Sequence, residues 1–423
     1  MSLQVPALSL PPLAEIRWTS AADAIRFRPH TRPRELLSQG VVPVPAGRRN
    51  IFLISDPGTA DRILRRDSKQ FPKATPQYRV GYKAFGPGIS GTIGETNLRQ
   101  RKALAPLFEG ANLRRAAEAA RLAAADAAHR WTGTRVVDLH KESSRLALDV
   151  AWSIFLGNGE YEGAAPSVRE AIEKIARLPK QDFVEAASVV RELVDTYVDT
   201  GRYLSVDDEN PMSKIACAAG YSGSPGLSQP EVRANAAVLA ASGHVTTGLT
   251  LGWGLWVLGQ MPAYQAELRD KLEREGSIRP ELIALFSEAM RLWTPAAETM
   301  RENLVPVSVE GTTIPPKSLI LVSYYAMHRR SGLWAEPNKF DITRFSRANL
   351  ANIPKGAFQP FSGGEYRCPG MSLAWRELIA ASETLLRRCT IEVEPASAAE
   401  VGLEAGTCIY PDRPLQAKIS GVK

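Results

Sequence analysis

One long run, residues 228–258, most constrains what this chain can fold into. It begins with Ser228-Gln-Pro-Glu231, where a serine and a glutamate three residues later form the pattern of a helix-capping box. Apolar side chains then follow on nearly every face, until Gly259 and Pro262 end the pattern. A helix of this length spans ~45 Å. The pattern therefore predicts a buried helix that crosses the whole molecule.

A second stretch, residues 361–370, reads Phe-Ser-Gly-Gly-Glu-Tyr-Arg-Cys-Pro-Gly. It places Cys368 after a glycine turn and just before an apolar helix predicted over 371–386. A thiolate there lies close to a helix N-terminus, where free N–H groups and the dipole stabilise negative charge. Gly363 and Gly364 would let the backbone turn sharply and approach a flat ligand. The arrangement suits a thiolate bound to haem iron, and the alternative is a buried structural cysteine.

The spacing Phe-x-x-Gly-x-x-x-Cys-x-Gly resembles the cysteine-ligand loop of the cytochrome P450 family, the haem-thiolate monooxygenases. Other matching positions run from about residue 97 to residue 370. The resemblance implies a mainly α fold with a minor β part, and a long central helix over the haem. It implies haem b (iron protoporphyrin IX) as cofactor, with Cys368 as the iron ligand and Phe361, Gly364 and Gly370 beside it.

Residues 241–247 of the long helix resemble the family's distal oxygen-binding segment. There Gly243 and a small neighbour would admit O₂ and water, and a threonine hydroxyl would assist oxygen activation. The spacing assigns that role to Thr246, with Thr247 as the alternative. The family usually carries an acid directly before this threonine to relay protons, and here that position is Val245.

Valine cannot supply the two protons that O–O cleavage needs. One hypothesis is that His244 delivers them through ordered water, since histidine titrates near neutral pH. The alternative is a histidine that packs or meets the substrate. A second hypothesis is that polar groups of the substrate itself organise the water.

Four residues are candidates for the haem propionates. Asn97 and Arg101 share a helix face at i and i+4, where the family places His or Trp and then Arg. Arg101 matches this pattern, whereas Asn97 departs from it, and neighbouring Arg99 is interpreted as a solvated base. The resemblance gives Arg301 a propionate as well. Tyr366 stands where the family commonly has His or Arg, and a phenol donates one hydrogen bond without a charge.

Three charged residues resemble the family's structural brace. Glu288 and Arg291 lie at i and i+3 on one predicted helix, and Arg344 follows in an Asp-x-x-Arg-Phe segment. The resemblance implies a buried triad that is structural and not catalytic. His328, just upstream of this segment, is interpreted as structural, because no second ligand stands at metal spacing.

Residues 78–94 are rich in glycine and aromatics and predict a mobile loop over the active site, which in the family contacts substrate. Their Gly-x-Gly-x-x-Gly is not a dinucleotide loop, because no strand precedes it and Pro87 interrupts it. Arg79 and Lys83 indicate an anionic substrate. The candidate pocket residues are Tyr78, Arg79, Tyr82, Phe85, Ala240, Ala297 and Ile409.

Shorter patterns predict the remaining elements. Helices are predicted over 21–39, 59–67, 111–131, 137–156, 165–176 and 182–204. Strands are predicted over 41–45 and 50–55, with hairpins over 307–322 and 404–419, and lid loops over 178–183 and 207–212. We expect an N-terminal tail over 1–20 and a single haem-thiolate catalytic domain over 21–423.

The bulk composition is ordinary for a globular protein, with 44% hydrophobic and 23% charged residues. The N-terminus has neither a membrane-length apolar run nor the charged start of a signal peptide, so we expect a soluble bacterial type without a membrane anchor. Four scattered cysteines without a Cys-x-x-Cys pair predict neither zinc nor disulfides, which fits the cytoplasm.

The net charge of +7 suits docking of an acidic redox partner. Lys and Arg are dispersed, so we expect no nucleic-acid binding. Because the chain has no flavin or iron–sulfur motif, electrons are expected from a ferredoxin and ferredoxin reductase, with the enzyme itself a monomer.

These patterns predict an oxidoreductase of the monooxygenase type that activates O₂ at a cysteine-ligated iron. Its substrate would be a small organic molecule, a natural-product intermediate of secondary metabolism. One alternative is oxidative coupling that forms aryl C–C or C–N bonds; another is peroxide-driven oxidation without oxygen insertion. A haem sensor or carrier ranks lower, since it needs neither a distal threonine nor a substrate loop.

Overall fold

The structure is a computed structural model that describes residues 34–46, 49–132, 136–156, 183–199, 226–309, 311–398, 400–405 and 408–422. The predicted tail, the predicted helix 165–176 and the lid loops over 178–182 and 207–212 lie outside these residues, as does most of the predicted helix 21–39. The described part is mainly helical with a smaller share of strands, which confirms the predicted fold class.

The helices and strands are numbered in chain order. The helices are α1 (Pro57–Asp61), α2 (Thr75–Phe85), α3 (Gly94–Leu104), α4 (Gly110–Thr132), α5 (Leu139–Phe155), α6 (Phe183–Asp199), α7 (Gln229–Leu258), α8 (Pro262–Glu275), α9 (Arg279–Leu292), α10 (Tyr324–Met327), α11 (Met371–Arg388) and α12 (Pro395–Ala398). The strands are β1 (Val41–Ala46), β2 (Arg49–Ile54), β3 (Val137–Asp138), β4 (Glu298–Glu302), β5 (Val307–Val309), β6 (Thr312–Ile314), β7 (Leu319–Ser323), β8 (Cys389–Glu392), β9 (Leu403–Ala405), β10 (Ile409–Pro411) and β11 (Gln416–Gly421).

The chain forms two compact units. The sheet unit combines Met1–Thr75, Pro280–Cys368 and Val393–Leu415. The helical unit combines Pro76–Arg279, Pro369–Glu392 and Gln416–Lys423. The single catalytic domain over 21–423 stays a prediction.

A mixed sheet of four strands, in the order β1-β2-β7-β4, organises the sheet unit. β2 and β7 are parallel, with Ile51 opposite Leu319, and the other pairs are antiparallel. Alternate side chains enter two apolar clusters, one containing Phe52 and Ile320 and the other Ile51 and Leu319. Both faces of the central strands are therefore buried.

The predicted hairpin over 307–322 is only partly correct. β5 and β6 form a hairpin, but residues 319–323 join the larger sheet instead. All five residues of β7 are buried, which is the pattern of a central strand covered on both faces. Likewise, β9 and β10 form the predicted C-terminal hairpin, whereas β11 pairs with β3 and β8 in another sheet.

The predicted long helix is confirmed as α7 and lies in the helical unit. It runs for 30 residues and packs closely on α5. Gly248 makes this approach possible, since a Cβ there would lie 2.6 Å from the Cα of Ser144. In the same unit, the alanine-rich face of α4 packs against α11.

The predicted loop over 78–94 is wrong in its first half, which is helix α2. Glycines made the stretch resemble a loop, but they serve close packing. A Cβ on Gly81 would lie 2.5 Å from the carbonyl oxygen of Ser90, and one on Gly91 would lie 2.6 Å from the Cα of Tyr82. Separately, Val137 begins a short strand where a helix was predicted. Among the described residues, no helix is long and apolar enough to cross a membrane.

Candidate active site

The cysteine loop of the sheet unit is closed by its own backbone. The N–H of Cys368 donates to the carbonyl of Phe361 at 3.0 Å. Ser362 and Gly364 adopt left-handed backbone conformations with φ of 62° and 68°. Cys368 is half-buried, and helix α11 begins directly after Gly370. The loop thus holds a partly accessible cysteine three positions ahead of a helix in the sequence.

Gly364 adopts the left-handed conformation of the predicted turn, and both glycines of this loop also lie against the protein's own chain. A Cβ on Gly364 would lie 1.6 Å from the carbonyl oxygen of Leu64, and one on Gly363 would lie 2.8 Å from the guanidinium carbon of Arg65. Leu64 and Arg65 belong to a π-helical turn, Arg62–Arg66, that follows α1. The protein's own backbone therefore already excludes a side chain at Gly364, without reference to a ligand.

Arg301 on β4 is a buried cation without a carboxylate partner. Its side chain is 2% exposed, and Nη1 donates to Thr299 Oγ1 at 2.8 Å and to the Met300 carbonyl at 2.9 Å. Burial lowers the pKa of Arg301, while Tyr324, with weaker contributions from Tyr366 and Glu365, acts in the opposite direction. No carboxylate within the described chain forms an ion pair with this guanidinium. A buried guanidinium of this kind calls for an anion.

Tyr366 lies against two cations. The guanidinium carbon of Arg301 lies 5.1 Å from the centroid of its ring, and the ammonium of Lys73 lies 4.9 Å from the same centroid. Lys73 and Arg301 also face each other in an antiparallel β-bridge. Two positive charges are thus concentrated beside Tyr366, which is itself uncharged. No sequence pattern indicated Lys73, which is distant in the chain and belongs to no motif.

The structure brings Glu288, Arg291 and Arg344 together. Arg291 Nε lies 2.7 Å from Glu288 Oε2, and Arg344 Nε lies 3.3 Å from Glu288 Oε1. The side chains of Glu288 and Arg291 are fully buried. Burial raises the pKa of Glu288, while Arg291, the Asp341 N–H and Arg344 oppose that rise. Because both carboxylate oxygens accept from Arg291, we assign the ionised form.

The triad is connected to the cysteine loop. Arg291 Nη1 donates to the carbonyl of His328 at 2.8 Å. His328 Nε2 in turn accepts from the N–H of Gln359 at 3.0 Å, two residues before Phe361. Burial, with Arg291 and Arg329, holds the pKa of His328 well below its ordinary value, which fits this acceptor role.

The middle of α7 is the accessible part of a buried helix. Residues 234–240 and 247–258 are buried, whereas between them Ser242 is exposed and Gly243 and Thr246 are half-buried. Thr246 Oγ1 donates to the carbonyl of Ser242 at 2.9 Å. Its lone pairs remain able to accept a hydrogen bond. Thr247, the alternative, is buried.

His244 points its proton into its own helix. Its Nδ1 lies 2.8 Å from the carbonyl oxygen of Ala240, and because a carbonyl only accepts, Nδ1 carries the hydrogen. Burial lowers the pKa of His244, and the hydrogen bond to Ala240 offsets this in part. The ring is therefore neutral near pH 7. This geometry does not favour His244 as the proton donor.

Asn97 does not fit the predicted propionate role. Its amide nitrogen donates to the carbonyls of Ile89 and Thr92, at 2.8 and 3.1 Å. The remaining amide oxygen is an acceptor and would repel a carboxylate. Arg101, one turn further along α3, is half-buried and keeps its predicted role as a proposal. Arg99 is not a solvated base, because it pairs with Glu231.

The predicted pocket residues lie in several places. On α2, Phe85 is buried and Tyr78 half-buried, whereas Arg79 and Tyr82 are exposed. Ala240 is buried in α7. In the sheet unit, Ala297 and Ile409 share one small apolar cluster with Tyr325.

Comparison with known proteins supports one class. A protein with a mainly helical fold and a single cysteine in a loop ahead of a helix suits a cofactor held by one thiolate. The family model described as Cytochrome P450 matches residues 38–419. The chain belongs to the cytochrome P450 family of haem-thiolate oxidoreductases.

Several relatives are similar over most of their length. Cyclooctatin synthase of Streptomyces melanosporofaciens is 24% identical over 84% of this chain and 84% of its own. Cyclooctat-9-en-7-ol 5-monooxygenase of the same organism is 24% identical over 92% of this chain and 93% of its own. The crystal structure of the cytochrome P450DA heme domain matches with a TM-score of 0.76 at 18% identity, covering 92% of this chain and 91% of that one. That last likeness shows the fold.

The described residues fit a haem iron cofactor. A lone cysteine would leave the remaining ligands of the iron to a porphyrin, and no group of three His, Cys, Asp or Glu side chains within the described chain could hold a metal by itself. The buried guanidinium of Arg301, with no carboxylate partner in the described chain, matches a propionate. When bound, haem supplies the iron at which O₂ is activated by reduction.

Proposed function

We propose that this protein inserts one atom of O₂ into a small, largely apolar natural-product intermediate, with iron protoporphyrin IX as its haem. One observation carries the proposal: the accessible segment around Thr246, in a helix that is otherwise buried on either side. Such a segment offers a partly exposed hydroxyl that O₂ or water could reach. A haem protein that only carries a ligand would need neither this hydroxyl nor an accessible segment in the helix.

Each proposed role follows from a residue's chemistry. Cys368 would bind the iron, with Phe361 packing beside the sulfur and Gly370 leading into α11. Arg301 would neutralise a propionate, helped by Arg101 and by the charge of Lys73 next to Tyr366. These side chains hold and orient the cofactor.

Proton delivery would depend on water held by Thr246 and on polar groups of the substrate. Val245 brings no proton, and the Nδ1 proton of His244 is directed at the Ala240 carbonyl. Gly243 lies against α5, because a Cβ there would lie 3.4 Å from the Cβ of Ala151 and 3.4 Å from the ring of Phe155, so its missing side chain serves helix packing. Thr247 is the alternative hydroxyl.

The relatives' names support oxygen insertion. One is named a 5-monooxygenase of cyclooctat-9-en-7-ol and the other cyclooctatin synthase. From these names we transfer to this protein only the class of substrate, a small organic molecule. Arg79 and Lys83 lie on the exposed side of α2, so their placement does not favour an anionic substrate.

Members of this family receive electrons from redox partners. We propose a ferredoxin and its reductase for this protein, acting on a monomer in the cytoplasm. The net charge of +7 supports docking of an acidic partner. None of the three described cysteines takes part in a disulfide.

The test has two stages. Reduced protein with carbon monoxide should give a thiolate-type haem spectrum, which Cys368→Ser should abolish while leaving the fold intact by circular dichroism. A substrate found by its effect on the haem spectrum is then turned over under ¹⁸O₂. Label in the product supports monooxygenation, and absence of a thiolate spectrum would contradict the proposal.

Oxidative coupling remains the second candidate, because Val245 replaces the proton-relaying acid. A coupling reaction joins two carbon or nitrogen centres and leaves no ¹⁸O in the product. The same labelling experiment therefore separates the two functions.

A further inference from the structure

A buried hydrogen bond joins the short helix α10 to the cysteine loop, and both lie in the sheet unit. Tyr324, the first residue of α10, is 1% exposed, and its hydroxyl donates to Oγ of Ser362 at 2.7 Å. Ser362 follows Phe361 directly in the loop. The roles proposed above for the residues of the cysteine loop do not use this bond.

Ser362 is held in a backbone conformation that its side chain disfavours. Its φ of 62° lies in the left-handed region, which glycine adopts freely but in which a Cβ comes too close to the following carbonyl oxygen. A serine persists in such a conformation only where the surrounding structure holds it there. The hydroxyl of Tyr324 binds the side chain of Ser362, and the N–H of Ser362 donates to the carbonyl of Gln359 at 3.2 Å.

The backbone conformation of Ser362 also decides where the neighbouring carbonyl points. Rotation about φ of Ser362 turns the planar peptide group that joins residues 361 and 362. The carbonyl of this group belongs to Phe361, and it accepts from the N–H of Cys368 at 3.0 Å. A change of φ to the ordinary negative range would therefore turn that carbonyl away from Cys368. The hydroxyl of Tyr324 is thus connected to the backbone of Cys368 through one side chain and one peptide group.

The side chain of Tyr324 is itself fixed by its surroundings. It belongs to the apolar cluster that contains Phe52 and Ile320, and its ring lies 6.5 Å from that of His328 at an interplanar angle of 28°. The N–H of His328 donates to the carbonyl of Tyr324 at 2.8 Å, and Nε2 of His328 accepts from the N–H of Gln359. One turn of chain therefore presents two side chains to the cysteine loop and the residues just before it.

We propose that Tyr324 is a positioning residue for Cys368, because its hydroxyl holds Ser362 in the left-handed conformation and so keeps the cysteine loop closed. The inference rests on the proposed function, in which Cys368 binds the iron. Tyr324 acts in this role through Ser362 and Phe361, and not by contact with the iron. Each opening of the loop would release the backbone that holds the thiolate in place, so the lifetime of thiolate ligation should depend on this hydroxyl.

The first measurement follows closure of the loop without reference to haem. Amide hydrogen exchange at Cys368, resolved by mass spectrometry, is compared between wild type and Tyr324→Phe, which removes only the hydroxyl. We expect exchange about tenfold faster in the variant, which corresponds to about 1.4 kcal/mol and lies within the usual strength of one hydrogen bond. Unchanged exchange would overturn the proposal.

Variants at residue 362 show whether Tyr324 acts through the conformation of Ser362. Ser362→Ala keeps a Cβ in the left-handed region and loses the oxygen that Tyr324 binds, so it should match Tyr324→Phe. Ser362→Gly removes the Cβ, and with it the need for an anchor. Adding Tyr324→Phe to Ser362→Gly should therefore leave exchange at Cys368 as it is in Ser362→Gly alone.

Two results of this comparison would overturn the proposal. One is exchange in Ser362→Ala that equals that of wild type, because the anchor would then be unnecessary. The other is an effect of Tyr324→Phe that is as large in the Ser362→Gly background as in wild type, because the hydroxyl would then act elsewhere in the molecule.

The matched control is Tyr325→Phe. Tyr325 is equally buried on the same helix, but it packs with Ala297 and Ile409 in a different apolar cluster. The control should leave exchange at Cys368 unchanged. Equal acceleration in Tyr324→Phe and Tyr325→Phe would assign both effects to general stability and overturn the proposal.

The spectroscopic measurement uses the reduced protein with carbon monoxide, in dilute urea that leaves its circular dichroism unchanged. Tyr324→Phe and Ser362→Ala should lose the thiolate-type spectrum about tenfold faster than wild type, whereas the control should not. An unchanged rate in Tyr324→Phe would overturn the proposal. A wild-type protein without any thiolate-type spectrum would instead contradict the proposed function, and exchange at Cys368 would still test the action of Tyr324 on the loop.

Discussion

The ion pair between Glu231 and Arg99 gives the sharpest stability prediction. Burial by itself would raise the pKa of Glu231, but hydrogen bonds from Arg99, Ser228 and Gln100 together lower it from 4.5 to about 2. Each pKa unit is worth about 1.4 kcal/mol, so the ionised carboxylate stabilises the fold by about 3 kcal/mol at pH 7. Glu231→Gln keeps the shape of the side chain and removes its charge.

The sign of the pH dependence follows from the lowered pKa. The contribution of Glu231 is complete above about pH 4.5, where the carboxylate is ionised in both the folded and unfolded chain. It declines as the pH falls towards about 2 and should be less than half its full value at about pH 3. The difference between wild type and Glu231→Gln should shrink in the same way.

Urea unfolding followed by circular dichroism measures this difference at pH 7, 5 and 3. Glu118→Gln is the control, because its pair with Arg121 is more than half exposed and should contribute at most about 0.5 kcal/mol. A loss below about 1 kcal/mol at pH 7, or a difference as large at pH 3 as at pH 7, would refute the reasoning.

Three further changes test other parts of the structure. Gly364→Ala should prevent the cysteine loop from closing, since its Cβ would lie 1.6 Å from the carbonyl oxygen of Leu64; haem content per chain after purification measures this. Glu288→Gln should cost about 3–5 kcal/mol in urea unfolding, because Arg291 would keep a buried charge without its partner. His244→Ala should leave the ratio of product to electrons consumed unchanged. A fall in that ratio would show that His244 takes part in proton delivery.

Strong local signals made much of the fold predictable. The capping residues of α7 and its long apolar run placed that helix to within about one residue. The spacing around Cys368 placed the cysteine loop, and the pair at 288 and 291 indicated the buried triad. The first two patterns lie within neighbouring residues, whereas the triad also needs Arg344 and was implied by the family resemblance.

The errors arose where distant residues decide the structure. Gly81 and Gly91 resembled loop residues, but they allow a helix and a loop to touch, which no local pattern reveals. Asn97 resembled a ligand residue because its partners, Ile89 and Thr92, are backbone groups without a sequence signature. Asn235 has a usable sequence signal, because it is a polar amide within an apolar helix, where it is fully buried.

The parallel pairing of β2 with β7 has a consequence for how the protein is made. During synthesis β1 and β2 leave the ribosome early, whereas β7 follows only after most of the chain. At a synthesis rate of roughly 5–20 residues per second, the edge of β2 that pairs with β7 stays unpaired for tens of seconds. The nascent chain must meanwhile keep that edge from pairing with another molecule. Expression of this enzyme should therefore depend on chaperones more than that of a protein whose strands pair with their sequence neighbours.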